Sequence, residues 1–149
     1  MAKSQTTATY DDVNLLLRLY DMRREEKLRK ARAWFFANCY PKSLEDLMKS
    51  CPPGSDENSY MRMVVSYWDM TASFIKAGVL NKELFFESNR ELLLVWERVK
   101  PTIAGLRETY KDPHAYHNLE TVASAYAEWL NERSPGSYEA FVAVVTKPR

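Results

Sequence analysis

The sequence predicts an all-α fold, a compact multi-helix bundle of about five main helices plus short helices. Only four glycines interrupt the 149 residues, and the helix-favouring Leu, Glu, Lys, Arg and Ala are abundant. Over long segments, apolar side chains recur at every third or fourth position, which is the helical period. We therefore predict a disordered N-terminus over residues 1–8 and a single helical domain over residues 9–149.

The first helix is predicted to run from about Asp11 to Asn38. Thr9 or Asp11 can cap its start, and Tyr40-Pro41 ends it, because the residue before a proline avoids helical angles. Its middle is strongly charged, so we expect this helix to project past the core or to pack on a partner chain. The apolar positions predicted to form its buried stripe are Val13, Leu16, Leu17, Tyr20, Leu28, Ala31 and Phe35.

The next two helices are separated by the clearest loop in the chain, residues 52–56. Ser43 is predicted to cap a short helix before this loop. The helix after it, about Glu57–Ala77, has the most regular apolar stripe and is predicted to be central. Gly78 is placed to end that helix in a left-handed conformation.

Three further helix starts are predicted from capping signals. Asn81 caps a short helix, and Ser88 with Glu91 forms a capping box for a long helix that contains Pro101. Asp112-Pro113 resembles an N-cap followed by proline at the first helical position. A last short helix is expected over about residues 137–145. The stripes of the three main helices are anchored by Trp68, Trp96 and Trp129.

Charge and hydropathy argue against several classes of partner. The net charge of +1 provides no overall field that would attract nucleic acid or an anionic membrane. No segment approaches the roughly 20 consecutive apolar residues of a membrane span, and no secretory signal is recognised at the start. Cys39 and Cys51 match no zinc or redox spacing. These observations predict a cytoplasmic protein with reduced thiols and no membrane association.

The segment from Tyr67 to Tyr126 carries a series of helix-boundary motifs. These are Trp68-Asp69, then Gly78 through Phe86, Trp96, Pro101, Arg107 and Asp112-Pro113. With them the segment resembles a bacterial family of helical domains of unknown function. The resemblance implies a helix, a turn, a short helix and a tryptophan-bearing helix. Many members of that family carry an N-terminal membrane helix, which this sequence does not show. The family implies no activity.

Metal binding has one set of candidate ligands. His114, His117 and Glu120 are spaced three residues apart, which places them on one helical face. First-turn residues are usually solvated, and a helix N-terminus disfavours protonated histidine. Helical metal centres also draw carboxylates from several helices. We therefore predict no metal and no cofactor, and keep these three residues as the only candidates.

Basic residues on the first helix mark a candidate interaction surface. The surface comprises Arg23, Arg24, Lys27, Lys30 and Trp34, and Trp34 lies beside the apolar stripe of its helix rather than on it. Glu25 and Glu26 dilute the positive charge, so nucleic acid is not the predicted partner. If one tryptophan serves a partner instead of the core, the sequence points to Trp34.

A structural ion pair is predicted inside the bundle. Asp69 lies on a largely apolar helix, and a buried charge has to be paired. Arg107 is its predicted partner, with Glu83 and Arg98 as alternatives on the two sides.

No stretch carries the residues of a known chemistry at a diagnostic spacing, so no catalytic residue is predicted. The sequence favours a non-enzymatic protein–protein interaction or regulatory module, with self-association through the first helix. Two alternatives stay open. One is a small-molecule-binding or metal-dependent helical enzyme, and the other is a weak nucleic-acid binder through the first helix. An exposed apolar patch would favour the module, and an enclosed pocket with convergent polar groups would favour the enzyme.

Overall fold

The computed structural model describes residues 7–149, and this part of the chain is 75% helical and contains no strand. The all-α prediction is confirmed. The helices are α1 (Tyr10–Arg23), α2 (Glu26–Asn38), α3 (Leu44–Ser50), α4 (Asp56–Lys76), α5 (Lys82–Ser88), α6 (Glu91–Thr109), α7 (His117–Arg133) and α8 (Ser137–Val145). These eight outnumber the five main helices predicted. The predicted disordered start lies mostly in residues 1–6, outside the described residues.

Helix α4 is the centre of the bundle, as its regular stripe predicts. It packs against α2 on one side and α7 on the other, and it also contacts α6. Val64, Trp68 and Ala72 on α4 have no solvent exposure at all. Helices α3 and α8 are short and lie against α6. This arrangement leaves α1 at the periphery of the bundle.

Aromatic rings connect α4, α5 and α7 through the interior. Trp68 meets Phe85 edge-on, and Phe86 stacks on Tyr126 with ring centroids 4.3 Å apart. The Tyr126 hydroxyl donates to the Phe86 carbonyl oxygen, so a buried polar atom is satisfied within the cluster. Ring pairs of this kind stabilise a core by about 0.5–1.5 kcal/mol each beyond the area they bury. Trp129 completes the series on α7 and is half-buried.

The predicted first helix is two helices, which corrects the sequence-based boundary. Arg24 and Glu25 separate α1 from α2, and the Glu25 carboxylate caps α2 by accepting from the backbone N–H of Leu28. Leu19 and Leu28 are both buried. Nine residues apart, they would point in opposite directions on one straight helix. The break lets both side chains reach the same core.

Helix α2 does not project from the bundle, because it packs against α4. Its apolar residues Leu28, Ala31 and Phe35 are buried. The expectation that the charged segment extends past the core is therefore wrong. Its charged side chains lie on the outer face and at the α1–α2 break. Arg32 is the exception, since it reaches inward to Glu91 at the start of α6.

The predicted capping box at the start of α6 does not form. Arg90 is the N-cap residue and provides no side-chain hydrogen bond, while Ser88 is still within α5. The Glu91 carboxylate is bound by Arg32 in a two-point contact of 2.8 and 2.7 Å. It also accepts from the indole N–H of Trp68. A tertiary partner has replaced the local one, because a charge-assisted two-point contact is the stronger interaction.

Helix α7 begins four residues later than the Asp112-Pro113 signal predicts. Residues 113–116 form turns, and the Asp112 carboxylate accepts from the backbone N–H of His114. Tyr116 precedes the helix in a left-handed conformation, with φ of 55°. By contrast, the predicted left-handed glycine at the end of α4 is confirmed, since Gly78 has φ of 77°.

Candidate interaction surface

Helix α1 is apolar on two faces, and the rest of residues 7–149 covers only one of them. Leu19 is buried, and Leu15 and Leu16 pack partly against the core. A second face carries Tyr10, Val13, Leu17 and Tyr20, which we call the α1 stripe. Because these residues are three, four and three positions apart, they follow one side of the helix. No other helix within residues 7–149 covers this side of α1.

The α1 stripe is exposed to a degree that is unusual for such side chains. Tyr10 is 78% exposed, Val13 40%, Leu17 58% and Tyr20 49%. Of the other exposed large apolar residues, Val79 and Tyr110 stand singly elsewhere, and Met22 lies on another side of α1. Isolated apolar residues are ordinary on a surface, whereas a contiguous row marks an interaction site. Helix α1 therefore carries an exposed apolar patch, the feature that would favour an interaction module.

Two interior contacts fix α1 in place. The Asp12 carboxylate accepts from the backbone N–H of Thr9 at 2.7 Å and from that of Asn81 at 2.8 Å. These hydrogen bonds, that of Thr9 foremost, lower the pKa of Asp12. At the other end, the Tyr67 hydroxyl donates to the Leu19 carbonyl oxygen at 2.7 Å. Helix α1 is thereby anchored at both ends with its stripe facing outward.

The basic residues predicted as an interaction surface are divided between two environments. Arg23 is half-buried, lies 4.9 Å from the ring centroid of Trp68 and donates to Asn89. Arg24 and Lys27 are exposed, and Arg24 lies over the ring of Tyr20. The structure thus brings Arg23 and Arg24 to the Tyr20 end of the α1 stripe, each 5.5 Å from the Tyr20 ring centroid, and Arg23 also reaches inward to Trp68.

Trp34 and Lys30 lie together on α2, away from the α1 stripe. The Trp34 ring is 6.2 Å from that of Tyr60, and the Lys30 ammonium lies 5.9 Å from the Tyr60 centroid. Trp34 is half-buried and packs against the core. It is therefore mainly a packing residue between α2 and α4.

The metal candidates do not form a group of ligands. His114 is exposed, and the rings of His114 and His117 are 6.2 Å apart. The Glu120 carboxylate is held by Arg107 at 3.1 Å and lies 3.7 Å from His117. Within residues 7–149, no three His, Cys, Asp or Glu side chains are arranged to hold a metal ion.

Asp69 and Arg107 are not brought together, which corrects the predicted ion pair. Asp69 accepts from the backbone N–H of Leu119 at 3.0 Å, whereas Arg107 binds Glu120 and the Ala115 carbonyl oxygen. Both residues therefore form hydrogen bonds at or just before the start of α7, but with different partners. Arg98, the alternative partner, donates within the described residues to carbonyl oxygens and to the Tyr40 hydroxyl, not to Asp69.

Both cysteines are free and buried. Burial raises the pKa of Cys39 to about 12, and the neighbouring Cys51 adds to the effect. Burial also raises the pKa of Cys51. A thiol that stays protonated at neutral pH is a poor nucleophile. The two buried thiols therefore do not support a role as a catalytic nucleophile.

The sequence-based interpretation missed the α1 stripe because it placed Val13, Leu17 and Tyr20 on a single stripe with Leu16 and the apolar residues of α2. Val13, Leu17 and Tyr20 were expected in the core, and the structure exposes them. A signal was present, since Leu15 and Leu19 lie about 100° or more around the helix from every residue of the α1 stripe. Two separate apolar arcs on one helix would have indicated two contact surfaces.

Comparison with known proteins identifies a family without assigning an activity. None of the described helices is both long and apolar enough to pass through a bilayer. No curated protein and no solved structure matches the chain. A family model described as domain of unknown function (DUF4760) matches residues 8–129, from just before α1 to near the end of α7. The match extends well beyond the segment in which the resemblance was recognised. The chain therefore belongs to the DUF4760 family of domains of unknown function.

Proposed function

We propose that this domain is a non-enzymatic interaction module that self-associates through α1. The single observation that carries the proposal is the exposed α1 stripe of Tyr10, Val13, Leu17 and Tyr20. A helix that exposes a row of large apolar side chains gains stability when a partner covers them.

The spacing of the α1 stripe favours a second copy of the same helix as the partner. Tyr10 and Tyr20 stand at equal distances from the centre of the stripe, and so do Val13 and Leu17. The row therefore has the same spacing from either end. A two-fold dimer requires a self-complementary patch of this kind, with each residue meeting its counterpart. In an antiparallel pair, tyrosine lies opposite tyrosine and valine opposite leucine.

The charges at the two ends of α1 support the antiparallel orientation. Asp11 lies in the first turn, and Arg24 is the C-cap residue; both are exposed. Antiparallel pairing brings the acidic start of one helix beside the basic end of the other. It also opposes the two helix dipoles, whereas parallel pairing would align like charges.

The dimer is expected to be weak and dependent on concentration. Helix α1 has 14 residues, so its length is about 21 Å at 1.5 Å per residue. One such helix pair lies at the lower end of specific interface sizes, for which we expect a dissociation constant on the order of 10 µM. The two free, buried thiols are in keeping with the cytoplasmic location that forms part of this proposal.

Sedimentation velocity over a range of concentrations tests the proposal. Leu17→Asp places a charge at the centre of the α1 stripe and should keep the protein monomeric. Val79→Asp is the matched control, since Val79 is 66% exposed and lies outside α1. The wild type and Val79→Asp should dimerise alike. A wild type that stays monomeric at the highest concentration, or equal dimerisation of all three proteins, would refute the proposal.

Nucleic acid is a weaker candidate for the same region. Arg23 is stacked on Trp68 and Lys30 lies over Tyr60, so these cations are engaged within the fold. Filter binding with DNA and RNA at low and high salt tests this alternative, because phosphate contacts produce a strong salt dependence.

A further inference from the structure

Arg98 is a buried cation whose partners are all uncharged. Only 7% of this residue is exposed to solvent. The Nε atom donates to the Val145 carbonyl oxygen at 2.8 Å, and Nη1 donates to those of Phe35 and Phe36 at 3.0 Å. Nη2 donates to the Tyr40 hydroxyl at 2.9 Å. No carboxylate of the described residues forms an ion pair with this guanidinium.

The carbonyl groups around Arg98 belong to the ends of two helices. Phe35 and Phe36 lie in the last turn of α2, and Val145 is the last residue of α8. Each helix C-terminus carries a partial negative charge of about half a unit, which offsets part of the buried positive charge. An arginine has five N–H donors, and the four hydrogen bonds above leave one N–H of Nη2 without an acceptor in the described residues.

A cleft of about 580 Å³ opens beside this guanidinium, between α2, α6, α8 and the C-terminal residues. Its walls are mainly apolar and include Phe36, Leu94 and Val144. Within the described part of the chain, the charged side chains that line it are those of Arg98 and Arg149. Small-molecule sites have volumes of about 300–1,000 Å³, apolar walls and a few polar groups that fix orientation. The cleft has this volume and these apolar walls, and its charged side chains are both arginines.

A second opening of about 340 Å³ shares Arg98 and Tyr40 with the first. It differs in its charge, because Glu97 lines it together with Lys42. An anion would meet side chains of both signs in this opening, whereas the charged side chains of the larger cleft are arginines. The larger cleft is therefore the better anion site.

We propose that the larger cleft binds a small organic carboxylate with an apolar chain. The carboxylate would lie against Arg98 and Arg149, because arginine binds carboxylates with charge-assisted hydrogen bonds. The apolar chain would lie along Phe36, Leu94 and Val144. This inference goes beyond the interaction module and does not depend on it, since no residue of α1 lines the cleft.

Isothermal titration calorimetry with sodium octanoate tests the proposal on the full chain. Octanoate combines one carboxylate with a flexible apolar chain, and 1-octanol and octylamine have the same chain without the negative charge. We expect saturable binding of octanoate at one site and much weaker binding of the other two. Absence of saturation with millimolar octanoate, or equal affinity for 1-octanol, would overturn the proposal.

Two variants locate the binding without disturbing Arg98, which also caps two helices. Ala37 is exposed on α2 and lines the cleft, so Ala37→Phe should fill it and abolish octanoate binding. Arg149→Gln should weaken binding by about two- to five-fold, the effect expected of an exposed ion pair. Lys147→Gln is the matched control, because Lys147 is an exposed cation that does not line the cleft.

Circular dichroism confirms the fold of each variant before titration. Binding that survives Ala37→Phe in a folded protein would show that octanoate lies elsewhere and would refute the proposal. Equal losses from Arg149→Gln and Lys147→Gln would indicate a diffuse charge effect and would refute it as well. Since these readouts do not involve α1, they remain valid whether or not the protein dimerises.

Discussion

The carboxylate of Asp69, in the middle of α4, accepts a hydrogen bond of 3.0 Å from the backbone N–H of Leu119 in the first turn of α7. The residue before α7, Tyr116, has a left-handed backbone and provides no side-chain cap. Helix α4 thus supplies from a distance the cap that the local sequence lacks. A carboxylate at this end also interacts favourably with the helix dipole.

Replacing Asp69 should therefore destabilise the fold through the start of α7. We expect Asp69→Ala to lower the free energy of unfolding by about 0.5–2 kcal/mol, the usual effect of losing an N-cap. Asp69→Asn keeps an acceptor oxygen but loses the charge, so its effect should be smaller. Urea denaturation measures both. Glu128→Ala, at an exposed acid on α7, serves as the control. A loss for Asp69→Ala no larger than that of the control would contradict the capping role.

The Asp12 carboxylate should make stability depend on pH. Its pKa in the folded protein is lowered, first by the hydrogen bond from the Thr9 backbone and then by that from Asn81. A group with a depressed folded pKa stabilises the protein above its unfolded pKa, and the contribution is lost as pH falls through the folded value. We expect Asp12→Asn to remove part of the stability difference between neutral pH and about pH 3.

Asp11→Asn is the control for this measurement, because Asp11 is the exposed neighbour of the buried Asp12. Thermal unfolding of both variants and the wild type at a series of pH values provides the comparison. If the two variants have the same pH profile, the hydrogen bonds of Asp12 do not produce the effect.

Local signals in the sequence predicted most helices, and tertiary contacts decided the boundaries it missed. Gly78 ends α4 as predicted, since a left-handed glycine acts within one turn. The break at Glu25 was also predictable, because Leu19 and Leu28 cannot face one core on a straight helix. The late start of α7 could not be predicted in this way, since it depends on Asp69, 50 residues away from Leu119.

The candidate sites likewise include one feature that local sequence could have predicted and one that depends on tertiary contacts. The exposed side of α1 follows from the spacing of its residues and could have been predicted from two apolar arcs. The contacts of Arg98 could not, because its partners lie in α2, at Tyr40 and in α8, up to 63 residues away in sequence. Spacing reveals which residues share a face, whereas burial of a charge depends on how distant helices meet.

The two cysteines should be unreactive until the protein unfolds. Cys39 and Cys51 are buried, and burial raises the pKa of both thiols. We expect Ellman's reagent at neutral pH to label neither thiol at an appreciable rate in the native protein. In denaturant, two thiols per chain should react. Rapid labelling of one thiol under native conditions would contradict this prediction.

These inert thiols allow cysteine cross-linking to test the orientation of the proposed α1 pair. In an antiparallel dimer, position 13 of one copy lies opposite position 17 of the other. A mixture of Val13→Cys and Leu17→Cys proteins should therefore form mainly mixed disulfide dimers on mild oxidation. A disulfide requires the two Cα atoms to be about 4.4–6.8 Å apart, so the preference reports the geometry directly. Predominant Val13→Cys homodimers would instead indicate a parallel pair.

Tyr138 should hold α8 to the bundle through a buried carboxylate. Its hydroxyl donates to Glu97, which is only 7% exposed and otherwise has Lys100 at 4.0 Å. Burial and the Glu97 carboxylate raise the pKa of Tyr138. Tyr138→Phe would remove one hydrogen-bond donor from that carboxylate. We expect the loss to lower the free energy of unfolding by about 1–3 kcal/mol. For a chain of this size, each kcal/mol lowers the melting temperature by about 2–4 °C.

Tyr110→Phe provides the control for loss of a hydroxyl, since Tyr110 is 70% exposed. A double-mutant cycle with Glu97→Gln then isolates the contact from other effects of Tyr138→Phe. If Tyr138 acts through Glu97, its replacement should destabilise the wild type more than the Glu97→Gln protein, in which no buried charge is left unpaired. Equal effects in the two backgrounds would show that Tyr138 stabilises α8 by packing alone.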